Sequence, residues 1–139
     1  MAFRVLIIGG RQRVEYARLR AALDTLLVNR IPDVEILTAG GPGVPALAAC
    51  YATSRGLPLL AIPIDHIRHP GNTIEQRDAR LVGLAEAAIL VGDATEVREL
   101  LARASAKGMR LVAIGPEPER HEPTETPPVE LPKFRGLPD

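Results

Sequence analysis

The sequence predicts an α/β three-layer sandwich: a five-stranded parallel sheet in the order 3-2-1-4-5 with helices on both faces. Three observations carry this. Five short apolar runs recur along the chain: VLII (5–8), VEILTA (34–39), LPLLAIP (57–63), AAILV (87–91) and RLVAIG (110–115). They are mostly continuous rather than alternating, as strands buried on both faces are, and parallel sheets bury both faces. Between them lie helical patterns, so strand and helix alternate and right-handed crossovers wind them into one sheet.

The first strand is expected at the centre of the sheet. A helix follows it, with Leu19, Leu23, Leu26 and Leu27 on one stripe. The second helix places Leu47, Ala48, Tyr51 and Ala52 together, and its small residues Ala46, Ala48 and Ala49 predict a close approach to the sheet. A shorter helix is predicted over about residues 75–85, through Leu81, Val82, Leu84 and Ala85. The last helix carries Val97, Leu100, Leu101 and Ala104. Asp93 is read as its N-cap, with Glu96 at N3, and Gly108 as its left-handed stop.

Residues 1–115 thus form one domain. Residues 116–139 hold seven prolines and cannot continue a helix or a central strand. They read as an extended or disordered tail whose LPKF segment is able to pack on the same subunit or a neighbour.

Composition narrows the function. Seventeen Lys plus Arg balance seventeen Asp plus Glu, so no overall field exists to hold nucleic acid or an anionic membrane. Only four aromatic residues occur, too few for a platform stacking several bases. Nucleic acid is therefore an unlikely partner. Fifteen of the basic residues are arginine, which suits local bidentate contact with phosphate or carboxylate. Cys50 stands alone, which excludes an internal disulfide and fits a reducing, cytoplasmic location. Set among alanines, it reads as a small buried hydrophobe, with a reactive thiol as the alternative. The MAFRVLIIGG start has no secretory-leader pattern, and no run approaches 18 apolar residues, so no membrane span is expected.

The candidate chemistry lies in loops leaving the carboxyl ends of the strands, where open α/β sheets bind ligands. GGRQR (9–13) combines glycines that admit a close ligand with Arg11 or Arg13 for an anion; a plain Gly-Gly turn is the alternative. In TAGGPGVPA (38–46), Gly40, Gly41 and Gly43 are able to aim successive amides at a phosphate, but Pro42 and Pro45 each delete a donor. A tight turn leading to a helix with Pro45 in its first turn accounts for the stretch equally well.

Asp65, His66 and His69 follow the third strand, but two histidines and one carboxylate are too few ligands to predict a metal. Arg77 and Arg80 sit three apart on one helical face and either converge on a ligand or lie solvated. After the fourth strand, VGDATEVRE offers Glu96 and Glu99 as weak catalytic candidates, capping being the alternative role of Glu96.

Together, GGR after the first strand, GG-x-G after the second, SRGLPLLAIPID and RDARL resemble the SLOG superfamily of DNA-processing Smf proteins and LOG phosphoribohydrolases. Within it, the chain looks most like stand-alone YspA-type proteins over residues 3–115. The resemblance implies a Rossmann-like domain whose crevice takes a nucleotide or nucleotide-derived phosphorylated ligand such as AMP or ADP-ribose. It further implies no required cofactor, and a homo-oligomer, dimer or higher. Carried over by position, the ligand-binding residues are Gly9, Gly10, Arg11, Gly40, Gly41, Gly43, Asp65, Arg77, Arg80, Gly92 and Thr95. Asp78 falls within an arginine-asparagine-x-arginine pattern.

Departures accompany the likeness. Where relatives read GGARGAD, this chain reads AGGPGVP, with Ala39 for glycine, Pro42 for arginine and Pro45 for aspartate. The PGGxGTxxE motif of LOG enzymes keeps only Gly92 and Thr95, with no glutamate in register. Sensing or carrying a ligand is therefore the leading expectation. An N-glycosidase acting on a nucleoside monophosphate through Glu96 or Glu99, and an oligomeric structural module with a degenerate site, are the alternatives.

Overall fold

The structure is a computed structural model, and it describes residues 2–11, 14–62 and 73–115. In chain order the strands are β1 (Phe3–Ile8), β2 (Val34–Thr38), β3 (Leu59–Ala61), β4 (Ala87–Val91) and β5 (Arg110–Ile114). The helices are α1 (Tyr16–Leu26), α2 (Val44–Arg55), α3 (Ile74–Leu84) and α4 (Arg98–Lys107), with a single 3₁₀ turn over Thr95–Val97 ahead of α4. All pairings are parallel and the sheet order is β3-β2-β1-β4-β5, as the run pattern predicts.

Strand alternation divides the core into two layers. On β1, Val5 and Ile7 join Leu19, Leu23, Ala48 and Tyr51 beneath α1 and α2. Leu6 and Ile8 face the other way, onto Leu81, Val82, Leu100 and Ala104 of α3 and α4. Both faces of the central strand are thus covered, which is why its run is continuously apolar.

The edges depart from that reading. β3 spans three residues rather than the predicted run, and Leu59 is 40% exposed. An edge strand has a neighbour on one side only, so its pattern cannot match that of β1. On α2 the buried positions are Val44, Pro45, Ala48, Tyr51 and Ala52. Cys50 lies off that stripe and is exposed, contrary to the buried reading; of the three small residues, only Ala48 is fully buried and Ala46 is exposed.

Helix ends follow local chemistry. Thr73 and Gln76 form a reciprocal capping box that starts α3, with Gln76 N–H donating to Thr73 Oγ1 at 3.0 Å and Thr73 N–H to Gln76 Oε1 at 3.1 Å. Its far end is closed from another element: Lys107 Nζ donates to the carbonyls of Val82 at 2.6 Å and Ala85 at 3.0 Å. Gly108 ends α4 in the left-handed conformation, as expected.

The start of α4 differs from the predicted cap. Asp93 Oδ1 accepts from Thr95 N–H at 2.9 Å, which closes a local turn, and the chain passes through the 3₁₀ turn before α4 begins at Arg98. Glu96 is released from the capping role and turns toward β1.

No helix among the described residues is long and apolar enough to cross a membrane. Asp65, His66, His69, Arg13 and the 116–139 segment lie outside the described residues.

Candidate functional site

A crevice of about 330 Å³ opens at the carboxyl ends of the strands, where β1 passes to β2 on one side and β4 on the other. Crossovers run to opposite faces at this point, so the connecting loops part and leave a hollow. Its volume lies at the lower end of the roughly 300–1,000 Å³ typical of small-molecule sites.

The floor is Ile7 and Gly9 at the end of β1. One wall is Ala39 and Pro45 from the β2–α2 connection; the other is Thr95 to Leu100 at the start of α4, with Ile74, Arg77 and Asp78 of α3 across from them. An adjoining hollow of about 390 Å³ is bounded by Arg11, Asp93, Thr95 and Glu96.

The two glycine loops meet back to back. Val44 N–H, at the start of α2, donates to Gly10 carbonyl oxygen at 2.9 Å. Gly43 sits at φ 85°, and a Cβ there would strike the Gly10 carbonyl, so only glycine serves. Gly9 is just as confined, a Cβ on it falling 2.5 Å from Val44 Cβ. Part of the β2–α2 loop is therefore committed within the fold. Gly40 N–H donates to the buried Thr38 hydroxyl at 2.8 Å, Val44 N–H is taken by Gly10, and Pro42 and Pro45 have no N–H. Gly40, Gly41 and Gly43 shape the loop, while the crevice wall itself is Ala39 and Pro45. Gly92 is likewise occupied, its N–H donating to Ile114 oxygen at 2.9 Å.

Charge enters from the helices. Arg77, half-buried, donates from Nε to Asp78 Oδ1 at 2.7 Å and reaches Ala39 oxygen at 3.5 Å, which ties α3 to the β2 loop. Asp78 is only 2% exposed, and its carboxylate lines the crevice paired with that guanidinium. Arg80 is exposed and takes no part in the lining, so the two arginines do not converge there.

Glu96 and Glu99 both line the crevice. Glu96 reaches across to β1, where its Oε1 accepts the Arg11 N–H, and it lies so close over Gly10 that a Cβ there would fall 2.9 Å from Glu96 Cβ. The Thr95 N–H and hydroxyl beside Asp93 hold its carboxyl below the usual carboxylate range.

One lining residue, Arg98, has no place in the sequence reading, and Asp78 enters it only through the family pattern. Asp78 falls on the apolar stripe Leu81–Val82–Ala85, and a carboxylate on a buried stripe was the available signal. Arg98 stands three residues after Thr95, where the LOG motif carries its glutamate; the cation is visible there only once that register is laid down.

An all-parallel 3-2-1-4-5 sheet with its hollow at the switch point defines a Rossmann-like protein. Residues 3–69, just under half of the chain, match the family described as YAcAr: YspA, cpYpsA-related SLOG family. Over that stretch the chain is similar to the YspA-related SLOG family.

Solved structures share the fold at low identity. DNA processing protein A from Streptococcus pneumoniae aligns with a TM-score of 0.61 and 15% identity over 86% of this chain and 52% of its own, so this chain spans about half its length. The protein TM1055 aligns with a TM-score of 0.59 and 16% identity over 78% of this chain and 72% of its own. Curated proteins give no match.

Proposed function

We propose that the protein binds a nucleotide or nucleotide-derived phosphorylated ligand, such as AMP or ADP-ribose, in this crevice, as a sensor or carrier. The observation that carries the reading is the pairing of surfaces in one hollow at the switch point. Ile7, Ile74, Val97 and Leu100 offer apolar contact for a base, and Arg77 and Arg98 offer cations for phosphate. The buried Asp78 carboxylate adds an acceptor suited to sugar hydroxyls. The similarity of residues 3–69 to a SLOG family supports the same ligand class.

A ligand at about 100 times its Kd stabilises the native state by about 2.7 kcal/mol, which raises Tm by several degrees. Calorimetric melting with AMP and ADP-ribose is expected to show that rise, and to lose most of it in R98Q. A nucleotide panel that leaves Tm unmoved at millimolar concentration overturns the reading.

A second reading, N-glycosidic cleavage of a nucleoside monophosphate, is favoured by one observation: Glu96 and Glu99 both line the crevice, where a carboxylate can act as acid or base. Release of free base from AMP, abolished in E99Q or E96Q, supports it; an absence of release beside an active control enzyme excludes it.

A further inference from the structure

The first glycine loop already holds an anion, and that anion belongs to the protein. Arg11, in the GGR turn, borders the adjoining hollow, and its backbone N–H donates to Glu96 Oε1. The glutamate lies directly over Gly10, close enough that any side chain there would displace it. Glu96 also stands on both hollows, lining the crevice on one side and the adjoining space bounded by Arg11, Asp93 and Thr95 on the other. A carboxylate oxygen on a backbone N–H occupies the place and the role of a phosphate oxygen on the same N–H.

We propose that Glu96 is an internal competitor for the phosphate position of the GGR loop, so that a phosphorylated ligand gains that position only by displacing the carboxylate. This rests on the nucleotide-binding reading and names the residue that sets its affinity and charge selectivity. Two features suit Glu96 to the part. It is exposed, so its side chain can swing out without opening the core, and it stands on a single 3₁₀ turn rather than within a long helix. Tethering gives it an effective concentration of about millimolar or more, so weak anions lose to it and only a ligand anchored elsewhere in the crevice prevails. A phosphate arriving beside the undisplaced carboxylate also meets like charge.

Inorganic phosphate is the test probe, followed by the Arg11 amide resonance in ¹⁵N–¹H spectra of the full chain. In E96A the resonance is expected to move once the carboxylate is gone, and phosphate is expected to titrate it at least tenfold more tightly than in the wild type. E96Q, which keeps the side chain's shape and loses its charge, is expected to gain less. Phosphate moving the Arg11 amide at equal concentrations in wild type and E96A, or in neither, overturns the proposal.

A parallel AMP titration, read at Arg77 and Arg98, judges the crevice itself. AMP binding without any E96A gain at Arg11 overturns the competitor alone. A phosphate gain at Arg11 with a crevice silent to AMP upholds the competitor and overturns the nucleotide reading.

Discussion

The loops that leave β1 and β2 look alike in sequence, each a glycine cluster between a buried strand and a helix, yet the structure uses them in opposite ways. After β2, part of the donor set is spent within the fold: Gly40 on Thr38, Val44 on Gly10, and two prolines with nothing to donate. After β1, the Arg11 N–H is met by a side chain from a distant element, Glu96, 85 residues on. A donor bound by backbone or by a buried hydroxyl is part of the scaffold, whereas one bound by an exposed carboxylate can exchange its partner. Glycine richness alone does not mark a phosphate cradle; the partner of each amide does.

The largest effect that would test this contrast is at Gly43. Alanine there meets both a positive φ and the Gly10 carbonyl, so G43A is expected to destabilise by about 3 kcal/mol, read as a lower urea midpoint with an unchanged m-value. A loss below about 0.5 kcal/mol would mean the β2 loop is not the rigid partner described.

T38V sharpens the same point more gently. It keeps the side chain's volume and removes the acceptor of Gly40 N–H, for an expected loss of about 1 kcal/mol in thermal or urea unfolding. Nucleotide affinity is expected to fall less than in R98Q, because the loop acts through shape.

The smallest effect lies away from both loops and serves as a control. On the α1–α2 face, Asp24 accepts from Tyr51 hydroxyl at 2.7 Å and from Arg55 Nε at 3.0 Å. The Arg55 guanidinium holds the Asp24 carboxyl below its ordinary value, and burial beside that carboxylate pushes the Tyr51 hydroxyl up. A depressed folded pKa contributes stability that is complete above the unfolded carboxylate value of about 4 and is lost as pH falls through the folded one. D24N should therefore flatten the acid side of the stability profile below about pH 4, by a small amount because the pair is more than a third exposed, and leave ligand affinity unchanged.

Much of this architecture was legible in the residues. Continuous apolar runs mark strands covered on both faces, and the helix between each pair leaves only a right-handed parallel winding. The left-handed stop at Gly108 and the proline in the first turn of α2 were equally plain, because such signals act within a few residues. The T-x-x-Q capping box at Thr73 was also there to be read. The site was less legible. Arg77 and Arg80 share a helical face by spacing, but only Arg77 reaches the crevice. Cys50 looked buried among alanines, and the stripe of α2 turned it outward.

By itself, then, the sequence determined the strands, their order and the loops that end at the crevice, because hydrophobic periodicity and turn chemistry are local quantities. Tertiary structure alone decided that Glu96 leaves its cap for Arg11, that Asp78 is buried against Arg77, and that Gly43 abuts Gly10. Those contacts join elements distant in the chain, and the partner of an amide or a carboxylate is set by which loops the sheet brings together.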